Sequence, residues 1–289
     1  MPKTLLGIVG SPRKFGNSEI LVKEIFRRLE GDWNLRLLRL PDFDIRPCRA
    51  CYECLFGEMR CPVDDDFAVV LDALVQADAV AVAAPAYLLG ANASLKRFLD
   101  RGLSFYGRAE RLWGKPAVGA AVAGIEGKEG ATKLNVDSFI KLTFGDLRGS
   151  EVLYGALPGE IFLDGGAKEA AGRLAAALSG PRREPAVGVP VCPACGGDTF
   201  RFLPGGGVRC MLCSGTGRIG WEEGRFDVSM PPDGHPLFLT LEDVLRHAEW
   251  LRETKNKFLE RRRELKAVTR EYAGIGSWVP PRKLERREE

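Results

Sequence analysis

Histidine is scarce in this chain, with 2 residues among 289, so a histidine-based metal site or general base has little material. No apolar run reaches the roughly 18 residues of a membrane-spanning helix. The opening residues MPKTLLGIVG also lack the basic region and cleavage site of a signal peptide. A formal net charge of +3 is too weak to indicate a nucleic-acid partner. These deficits predict a cytoplasmic protein without a membrane segment, and they argue against nucleic acid as a partner.

The cysteines, by contrast, are numerous and grouped. There are 8, and close CxxC spacings in a chain without a secretion signal indicate metal ligands rather than disulfides. The first group is Cys48, Cys51, Cys54 and Cys61, and the second is Cys192, Cys195, Cys210 and Cys213. No cysteine lies outside these groups to act as a free nucleophile. We therefore expect metals held by thiolates.

Residues 1–180 alternate apolar runs with helical patterns. Strands are predicted at 4–11, 34–40, 79–84, 116–123 and 151–162. Helices are predicted at 17–29, 66–77, 94–103, 128–144 and 167–178. Continuous apolar strands separated by helices are typical of an α/β fold with a doubly wound five-stranded parallel sheet. The acidic run Asp64–Asp66 is interpreted as the cap of the second helix, with a cation site as the alternative.

Residues beyond 180 change in composition. A linker rich in proline and charge is predicted at 181–190, a small cysteine module at 191–229, and a long helix with a tail at 237–289. Apolar residues recur at every seventh position of the helix 241–272, but Lys255 and Arg262 interrupt the companion positions. This pattern favours docking onto the body or onto a second subunit over an independent coiled coil.

The second cysteine group consists of two CxxC motifs separated by fourteen residues, 196–209. Two such motifs, each followed by glycine, predict a zinc ribbon, in which the metal supplies the folding energy of a module too small for its own core. A rubredoxin-like iron site is the alternative. The intervening residues hold only two arginines and two phenylalanines, which favours a protein partner or an oligomer contact over nucleic acid.

The segment GSPRKFGNS joins the first strand to the first helix. Such a loop delivers backbone N–H groups and a helix N-terminus to an anion, and Ser11, Arg13, Asn17 and Ser18 add polar side chains suited to a phosphate. It matches neither the dinucleotide fingerprint GxGxxG nor the P-loop GxxxxGK[ST]. A simple helix-capping turn is the alternative.

The first cysteine group has the spacing CxxCxxC followed by a fourth cysteine after six residues. Three closely spaced thiolates closed by a fourth resemble the ligands of a [4Fe–4S] cluster. Zinc is chemically possible as well, although structural zinc usually takes two separated CxxC motifs.

Taken in order, GSPRKFGNS, the first cysteine group, Pro85-Ala-Tyr87 and SLKRFLDR at 94–101 resemble the NADPH-dependent FMN reductase superfamily, and in particular its iron-sulfur flavoproteins. The resemblance covers about the first 165 to 180 residues. It implies a flavodoxin-like sheet in the order 2-1-3-4-5 and FMN with its phosphate in the loop 11–18. It places the flavin ring beside Pro85, Ala86, Tyr87 and Leu88, with Gly124 in a further flavin loop. It also favours [4Fe–4S] over zinc in the first cysteine group.

These features lead to a functional expectation. A flavin exchanges a hydride or single electrons, whereas a cluster moves single electrons only. We expect an FMN-dependent oxidoreductase in which a donor such as ferredoxin passes electrons through the cluster to FMN and on to an acceptor. One alternative is an NAD(P)H-dependent FMN or quinone reductase, and another is a redox-responsive binding protein. The resemblance also implies a homo-oligomer.

Overall fold

A five-stranded parallel sheet forms the centre of the computed structural model, which describes residues 2–180, 189–222, 224–277 and 279. Its long strands are β1 (Lys3–Val9), β2 (Trp33–Arg39), β3 (Ala79–Tyr87), β5 (Pro116–Ala123) and β6 (Asp146–Tyr154), and a two-residue strand, β4 (Gly90–Ala91), pairs with β3. The order is β2-β1-β3-β5-β6. The predicted flavodoxin-like order is thereby confirmed.

Helices cover both faces of this sheet. They are α1 (Asn17–Arg27), α2 (Phe67–Gln76), α3 (Ala93–Leu99), α4 (Ala109–Leu112), α5 (Thr132–Leu142) and α6 (Gly166–Ser179). A seven-residue 3-10 helix, Gly102–Arg108, separates α3 from α4, so the predicted helix 94–103 ends earlier than its pattern indicated. The middle strands are buried and rich in alanine, which lets α1 and α6 pack closely against them.

The last strand of the sheet differs from its predicted range of 151–162. It begins earlier, at Asp146, and ends at Tyr154. The chain then turns through Gly155 and Gly159, and Gly159 adopts a φ of +84° that L side chains rarely take. The glycines and Pro158 end the strand, so residues 155–162 form a loop and a short 3-10 helix.

The second cysteine group belongs to a small antiparallel sheet. Its strands are β7 (Phe200–Leu203), β8 (Gly207–Cys210), β9 (Thr216–Glu222) and β10 (Arg225–Ser229), in the order β10-β9-β8-β7. Leu147 of β6 packs against the buried cysteines, and Lys133 of α5 pairs with Asp198 at 2.9 Å. The module is therefore anchored to the last strand and helix α5 of the main sheet. Of the predicted linker, residues 181–188 lie outside the described residues.

The segment after the module returns to the main sheet at an aromatic cluster. Phe238 stacks on Phe144 with ring centroids 5.8 Å apart, and His247 lies 6.0 Å from the ring of Tyr106. His235 Nε2 and His247 Nδ1 are 2.8 Å apart, so the two histidines of the sequence are hydrogen-bonded to each other. Burial lowers the pKa of His247, and the neighbouring His235 lowers it further.

Two helices, α7 (Leu241–Glu260) and α8 (Arg262–Glu271), replace the single predicted helix 241–272. Backbone hydrogen bonds still run through the interruption, from Arg261 N to Lys257 O and from Leu265 N to Arg261 O. Like charges four residues apart, such as Lys257 and Arg261, disfavour a regular helix there.

By its internal contacts the chain divides into two units, one ending at Ala248 and the other beginning at Glu249. In the second unit, none of the described residues is buried. Residues 280–289 of the predicted tail lie outside the described part. Among the helices that the structure describes, none combines the length and the apolar character needed to cross a bilayer.

Candidate flavin cleft and cysteine sites

An open cleft of about 190 Å³ lies at the carboxyl ends of the central strands. In parallel sheets with helices on both faces, this edge is where ligands bind. The cleft is lined by Ser11, Arg13, Gly16, Asn17, Ser18, Pro85, Ala86, Tyr87, Val122, Gly124, Gly155 and Ala156. The fold thus brings together all the residues predicted for the flavin except Leu88. Leu88 is fully exposed and has a φ of 49°.

Two of the side chains predicted to bind phosphate also connect the loop after β1 to the loop after β6. Asn17 Nδ2 donates to the Gly155 carbonyl at 3.0 Å, and the Gly159 amide donates to Asn17 Oδ1 at 2.7 Å. Arg13 donates to the Ala156 carbonyl at 3.1 Å. The loop after β1 and the loop after β6 are therefore held as one wall. The residues 155 and 156 were missed because the predicted strand ran through them, although the Gly/Pro-rich GALPG is a turn signal.

Glu19 is a further residue that the sequence did not reveal. Its carboxylate accepts a hydrogen bond from the Phe15 amide at 2.9 Å and ion-pairs with Lys23 and Arg39, both at 2.6 Å. Burial alone would raise the pKa of Glu19, but Lys23, the Phe15 amide and Arg39 outweigh it and hold the pKa below its ordinary value. Glu19 thus shapes the anion loop while its own charge is compensated. A glutamate in the first turn of a helix is favoured by the helix dipole, and this is the only local signal that Glu19 carries.

Gly124 and Gly130 both lie in the loop after β5, but they have different roles. Gly124 lines the cleft itself. Gly130 has a φ of +55°, and a Cβ there would lie 2.3 Å from the Leu89 carbonyl oxygen. The next amide, that of Ala131, donates to the same oxygen at 2.7 Å. Gly130 therefore allows the loop after β5 to support the loop after β3.

The first cysteine group lies in a loop between β2 and α2 whose two ends are clamped by aspartates. The Asp65 carboxylate accepts hydrogen bonds from the Arg46 amide at 2.8 Å and the Phe67 amide at 3.1 Å. Asp66 accepts one from the Asp44 amide at 2.8 Å. The predicted capping role is filled by Asp65 and not by Asp66, whose side chain makes no cap hydrogen bond. The acidic run is thus the closure of the cysteine loop.

Arg101 also holds the end of the cysteine loop in place, through Asp65 and Val63. Its guanidinium pairs with Asp65, donates to the Val63 carbonyl at 3.3 Å and lies over the ring of Phe67 at 4.2 Å. Side-chain exposures are 1% for Arg101 and 0% for Asp65. For Asp65, desolvation raises the pKa, but the hydrogen bonds from Arg46, Arg101 and Phe67 together lower it below the ordinary value.

The four cysteines of the loop are unequally exposed. Cys48 and Cys51 are exposed, Cys61 is half-buried and Cys54 is buried. Burial raises the pKa of Cys54, the Ser104 hydroxyl opposes the rise, and the nearby Cys61 and Cys51 add to it. Among the described residues, the second cysteine group alone brings three or more such ligand atoms within 4.8 Å of one another. The sulfurs of the first group are therefore spread more widely than the ligands of a single ion.

The second cysteine group is a compact site of four buried thiols, with Sγ atoms all within 4.8 Å. Its two CxxC motifs have the same local geometry. The Gly196 amide donates to the Cys192 carbonyl at 2.7 Å, and the Ser214 amide donates to the Cys210 carbonyl at 3.0 Å. A residue with positive φ ends each turn, Gly196 at 76° and Ser214 at 64°. This pair of equivalent turns is the geometry expected of a tetrahedral metal site.

Electrostatics and packing also suit a metal in this group. Hydrogen bonds from Cys195 and the other two thiols strongly lower the pKa of Cys192, while Cys192 raises the pKa of Cys195. A cation resolves this competition for protons because it binds thiolates. A Cβ at Gly197 would lie 3.2 Å from Cys210 Sγ and 3.3 Å from Cys195 Sγ, so the site leaves no room for a side chain there.

A larger cavity, of about 550 Å³, lies between β6, α6 and the cysteine module. Its charged groups are already paired with one another: Lys133 with Asp137 and Asp198, Arg148 with Asp146, and Arg173 with Glu151. We assign it no ligand.

The fold and the cleft define a flavodoxin-like protein with a candidate ligand site at the carboxyl ends of its central strands. The sequence profile of the NADPH-dependent FMN reductase family matches residues 4–153, a little over half of the chain. The chain belongs to this family.

Several proteins with similar sequences are described as iron-sulfur flavoproteins. One from Methanocaldococcus jannaschii is 34% identical over 122 residues, which are 40% of this chain and 62% of that protein. One from Archaeoglobus fulgidus is 30% identical over 157 residues, which are 54% of this chain and 70% of that protein. The chain therefore spans less than two thirds of the length of the first relative.

A solved structure titled flavone reductase shares the fold over almost the whole chain. It superposes with a TM-score of 0.71 at 20% identity and covers 96% of this chain and 100% of that one. At this identity the likeness concerns architecture alone.

Proposed function

We propose that this protein is an FMN-dependent oxidoreductase. It takes electrons from a one-electron donor such as ferredoxin, through a [4Fe–4S] cluster in the loop 46–63, to FMN and on to an acceptor. The observation that carries the proposal is that one short helix, α3, connects the flavin cleft to the cysteine loop. The family match and the iron-sulfur flavoprotein relatives support it.

The cleft residues fit FMN. The loop 11–18 offers hydroxyls and a guanidinium beside the N-terminus of α1, which suits a phosphate. The loop 85–87 offers backbone groups and the half-exposed ring of Tyr87 to an aromatic ligand. Val122 and Ala156 give the cleft an apolar wall, which excludes water from a flavin ring.

The residues of the cysteine loop fit a cluster better than a single ion. Each thiolate of a [4Fe–4S] cluster binds a different iron, so the ligands stand farther apart than around one zinc ion. The wide spacing of Cys48, Cys51, Cys54 and Cys61 agrees with this, in contrast to the tight second group. A buried hydroxyl, that of Ser104, also faces the loop without a regular partner.

Helix α3 gives the two sites a rigid connection. Its N-cap residue Asn92 donates from its amide to the Pro85 carbonyl at 3.3 Å, at the flavin loop. Beyond its last turn, Arg101 holds Val63 and Asp65 at the base of the cysteine loop. Seven helical residues span about 10 Å. This connection supports the proposal, because single-electron transfer requires the two sites to lie close together.

FMN, when bound, exchanges a hydride or single electrons, and the cluster exchanges single electrons. No side chain is assigned as a covalent nucleophile. The protein's own contribution is to bind the phosphate with the loop 11–18, to orient the ring beside Tyr87, and to hold the cysteine loop at a fixed position.

Purification without oxygen tests the proposal. We expect about four irons and four sulfides with one FMN per chain. Reduced ferredoxin should bleach the flavin in the native protein, and much more slowly in a Cys54→Ser variant that still holds FMN. A native protein without iron or sulfide, or equal rates in both proteins, would contradict the proposal.

The family match favours a second candidate, an NAD(P)H-dependent FMN or quinone reductase. In this case nicotinamide donates directly to the flavin. Rapid anaerobic bleaching by NADPH without ferredoxin, unaffected by Cys54→Ser, would select this candidate. A stable complex whose affinity follows the redox state, with negligible turnover, would instead select a binding role.

Two further parts of the proposal concern assembly and the second metal. Large apolar side chains are exposed on the loops around the cleft, namely Leu88, Leu89, Ile125 and Leu157, and a homo-oligomer would cover them. For the compact second cysteine group we propose zinc, since two CxxC motifs that bring four thiols within 4.8 Å of one another suit a structural zinc ion, with a single iron as the alternative. Its module provides a surface for a protein partner. Mass photometry and metal analysis of the full chain test these points.

A further inference from the structure

The segment that follows α3 presents one face to the cysteine loop. A 3-10 helix has three residues per turn, so Arg101, Ser104 and Gly107 lie in line along Gly102–Arg108. The Ser104 amide donates to the Arg101 carbonyl at 3.1 Å, as this helix requires. Phe105 is 1% exposed and stacks among the core aromatic rings. The core thus fixes the rotation of the helix.

Each residue of this face meets the loop at a different point. Arg101 holds its end, at Val63 and Asp65. Gly107 lies so close to Met59 that a Cβ would stand 2.8 Å from Met59 Cβ and 2.9 Å from its carbonyl oxygen. Ser104 lies between these two points, on the helix that packs against the short 3-10 helix Glu53–Leu55, which holds Cys54. We call this face, Arg101, Ser104 and Gly107, the loop seat.

Ser104 is the member whose hydrogen bonding is incomplete. Ser104 is 2% exposed, and its Oγ atom makes no hydrogen bond of normal distance and angle with any described residue. A buried hydroxyl without an acceptor is costly, and a thiolate or sulfide beside it is a much stronger acceptor than a neutral thiol.

We infer that the loop seat positions the cluster, and that the Ser104 hydroxyl donates a hydrogen bond to the Cys54 thiolate or to a cluster sulfide next to it. Reduction adds one electron from the donor and breaks no bond. The reduced cluster carries more negative charge than the oxidised one, so the hydrogen bond from the Ser104 hydroxyl stabilises the reduced state more. The reduction potential of the cluster therefore rises. Ser104 is a positioning residue in this role. The inference rests on the proposed function, because it assumes a cluster in the loop.

The test compares Ser104→Ala with Ser104→Thr, which keeps a hydroxyl, and with Ser150→Ala, which removes another buried hydroxyl without a regular partner, on β6. Each full-length protein is purified anaerobically, and its cluster is titrated potentiometrically by electron paramagnetic resonance. We expect Ser104→Ala to keep its iron and FMN but to have a more negative potential and shifted g values. Ser104→Thr should restore both, and Ser150→Ala should match the native protein. Equal potentials in the native protein and Ser104→Ala would overturn the inference.

A second measurement needs no cluster. Hydrogen exchange follows the amides of Leu55, Phe56 and Met59, which donate within the loop. We expect faster exchange in Gly107→Ala, because the added Cβ displaces Met59, and no change in Gly220→Ala, where a Cβ meets nothing within 4 Å. Unchanged hydrogen exchange in Gly107→Ala would contradict the claim that the loop seat positions the cysteine loop. A native protein without iron and sulfide would instead overturn the proposed function, and the exchange result would still stand.

Discussion

The guanidinium of Arg101 and the carboxylate of Asp65 form an ion pair that is almost wholly enclosed, with exposures of 1% and 0%. Asp65 also receives the amide of Arg46, at the start of the cysteine loop. One carboxylate therefore ties α3 to both ends of that loop. Enclosed pairs tolerate the loss of one partner poorly, because the other charge is left without compensation.

Replacing this carboxylate should destabilise the protein strongly. We expect Asp65→Asn to lower the free energy of unfolding by about 3–5 kcal/mol in urea titrations. The exposed neighbour Asp64 supplies the control, and Asp64→Asn should change the value by no more than about 0.5 kcal/mol. Equal stabilities for the two variants would show that the pair contributes little.

The same carboxylate should make stability fall in acid. The pKa of Asp65 is lowered from its ordinary value of 3.8 in the folded state, so the stabilisation is complete above that value and is lost as pH falls through the folded pKa. Glu19, whose ordinary value is 4.5, acts in the same direction. Urea titrations between pH 5 and about 2 should show the loss. Asp65→Asn should have a shallower dependence on pH, and an equally steep one would assign the effect to other groups.

Asn17 should affect flavin binding because its side chain holds the loop after β6 against the cleft. Asn17→Ala removes the hydrogen bonds to Gly155 and Gly159, so the loop after β6 moves from the cleft. We expect the Kd for FMN, from fluorescence quenching of the flavin by apoprotein, to rise about tenfold, or roughly 1.4 kcal/mol. Asn34→Ala, on the exposed strand β2, is the control. Identical Kd values would remove Asn17 from the binding site.

Metal removal should unfold the cysteine module and leave the main sheet intact. A chelator, or Cys210→Ser, takes away the ligand bonds that replace a core in so small a module. Hydrogen exchange should accelerate at Cys210 and Ser214, whose amides bond within the second CxxC motif, but not in β3. Cys61→Ser is the matched control from the other cysteine group. Protection that survives the chelator would contradict a structural metal.

The paired histidines should loosen the segment around them at mildly acidic pH. The pKa of His247 is lowered from its ordinary value of 6.5, so the folded segment prefers the neutral ring. Protonation then favours the unfolded segment, and stability is lost as pH falls below about 6.5. Hydrogen exchange of the Val244 amide, corrected for its intrinsic rate, should become faster between pH 7.5 and pH 5. The acceleration should be smaller in His247→Gln than in the native protein.

The sequence predicted the parts of this molecule that depend on local patterns. The alternation of strands and helices, the loop after β1 and the two CxxC turns follow from apolar periodicity, glycine positions and cysteine spacing, whereas the strand order was implied by the resemblance to the flavin reductase family. What it missed depends on contacts between distant residues. Nothing local to Asp65 or Arg101 indicates that they meet, and the role of Gly155 appears only when β6 ends where its glycine turn begins.

The short 3-10 helix between α3 and α4 has a consequence for the length of the chain. Because its residues repeat every third position, inserting or deleting one residue between Arg101 and Gly107 would rotate the later residues by about 120°. Ser104 or Gly107 would then turn away from the cysteine loop, although every side chain was still present. Spacing is therefore constrained here along with the identity of the three seat residues, and among family members that keep all four loop cysteines the other positions of this stretch should vary in composition while its length stays the same.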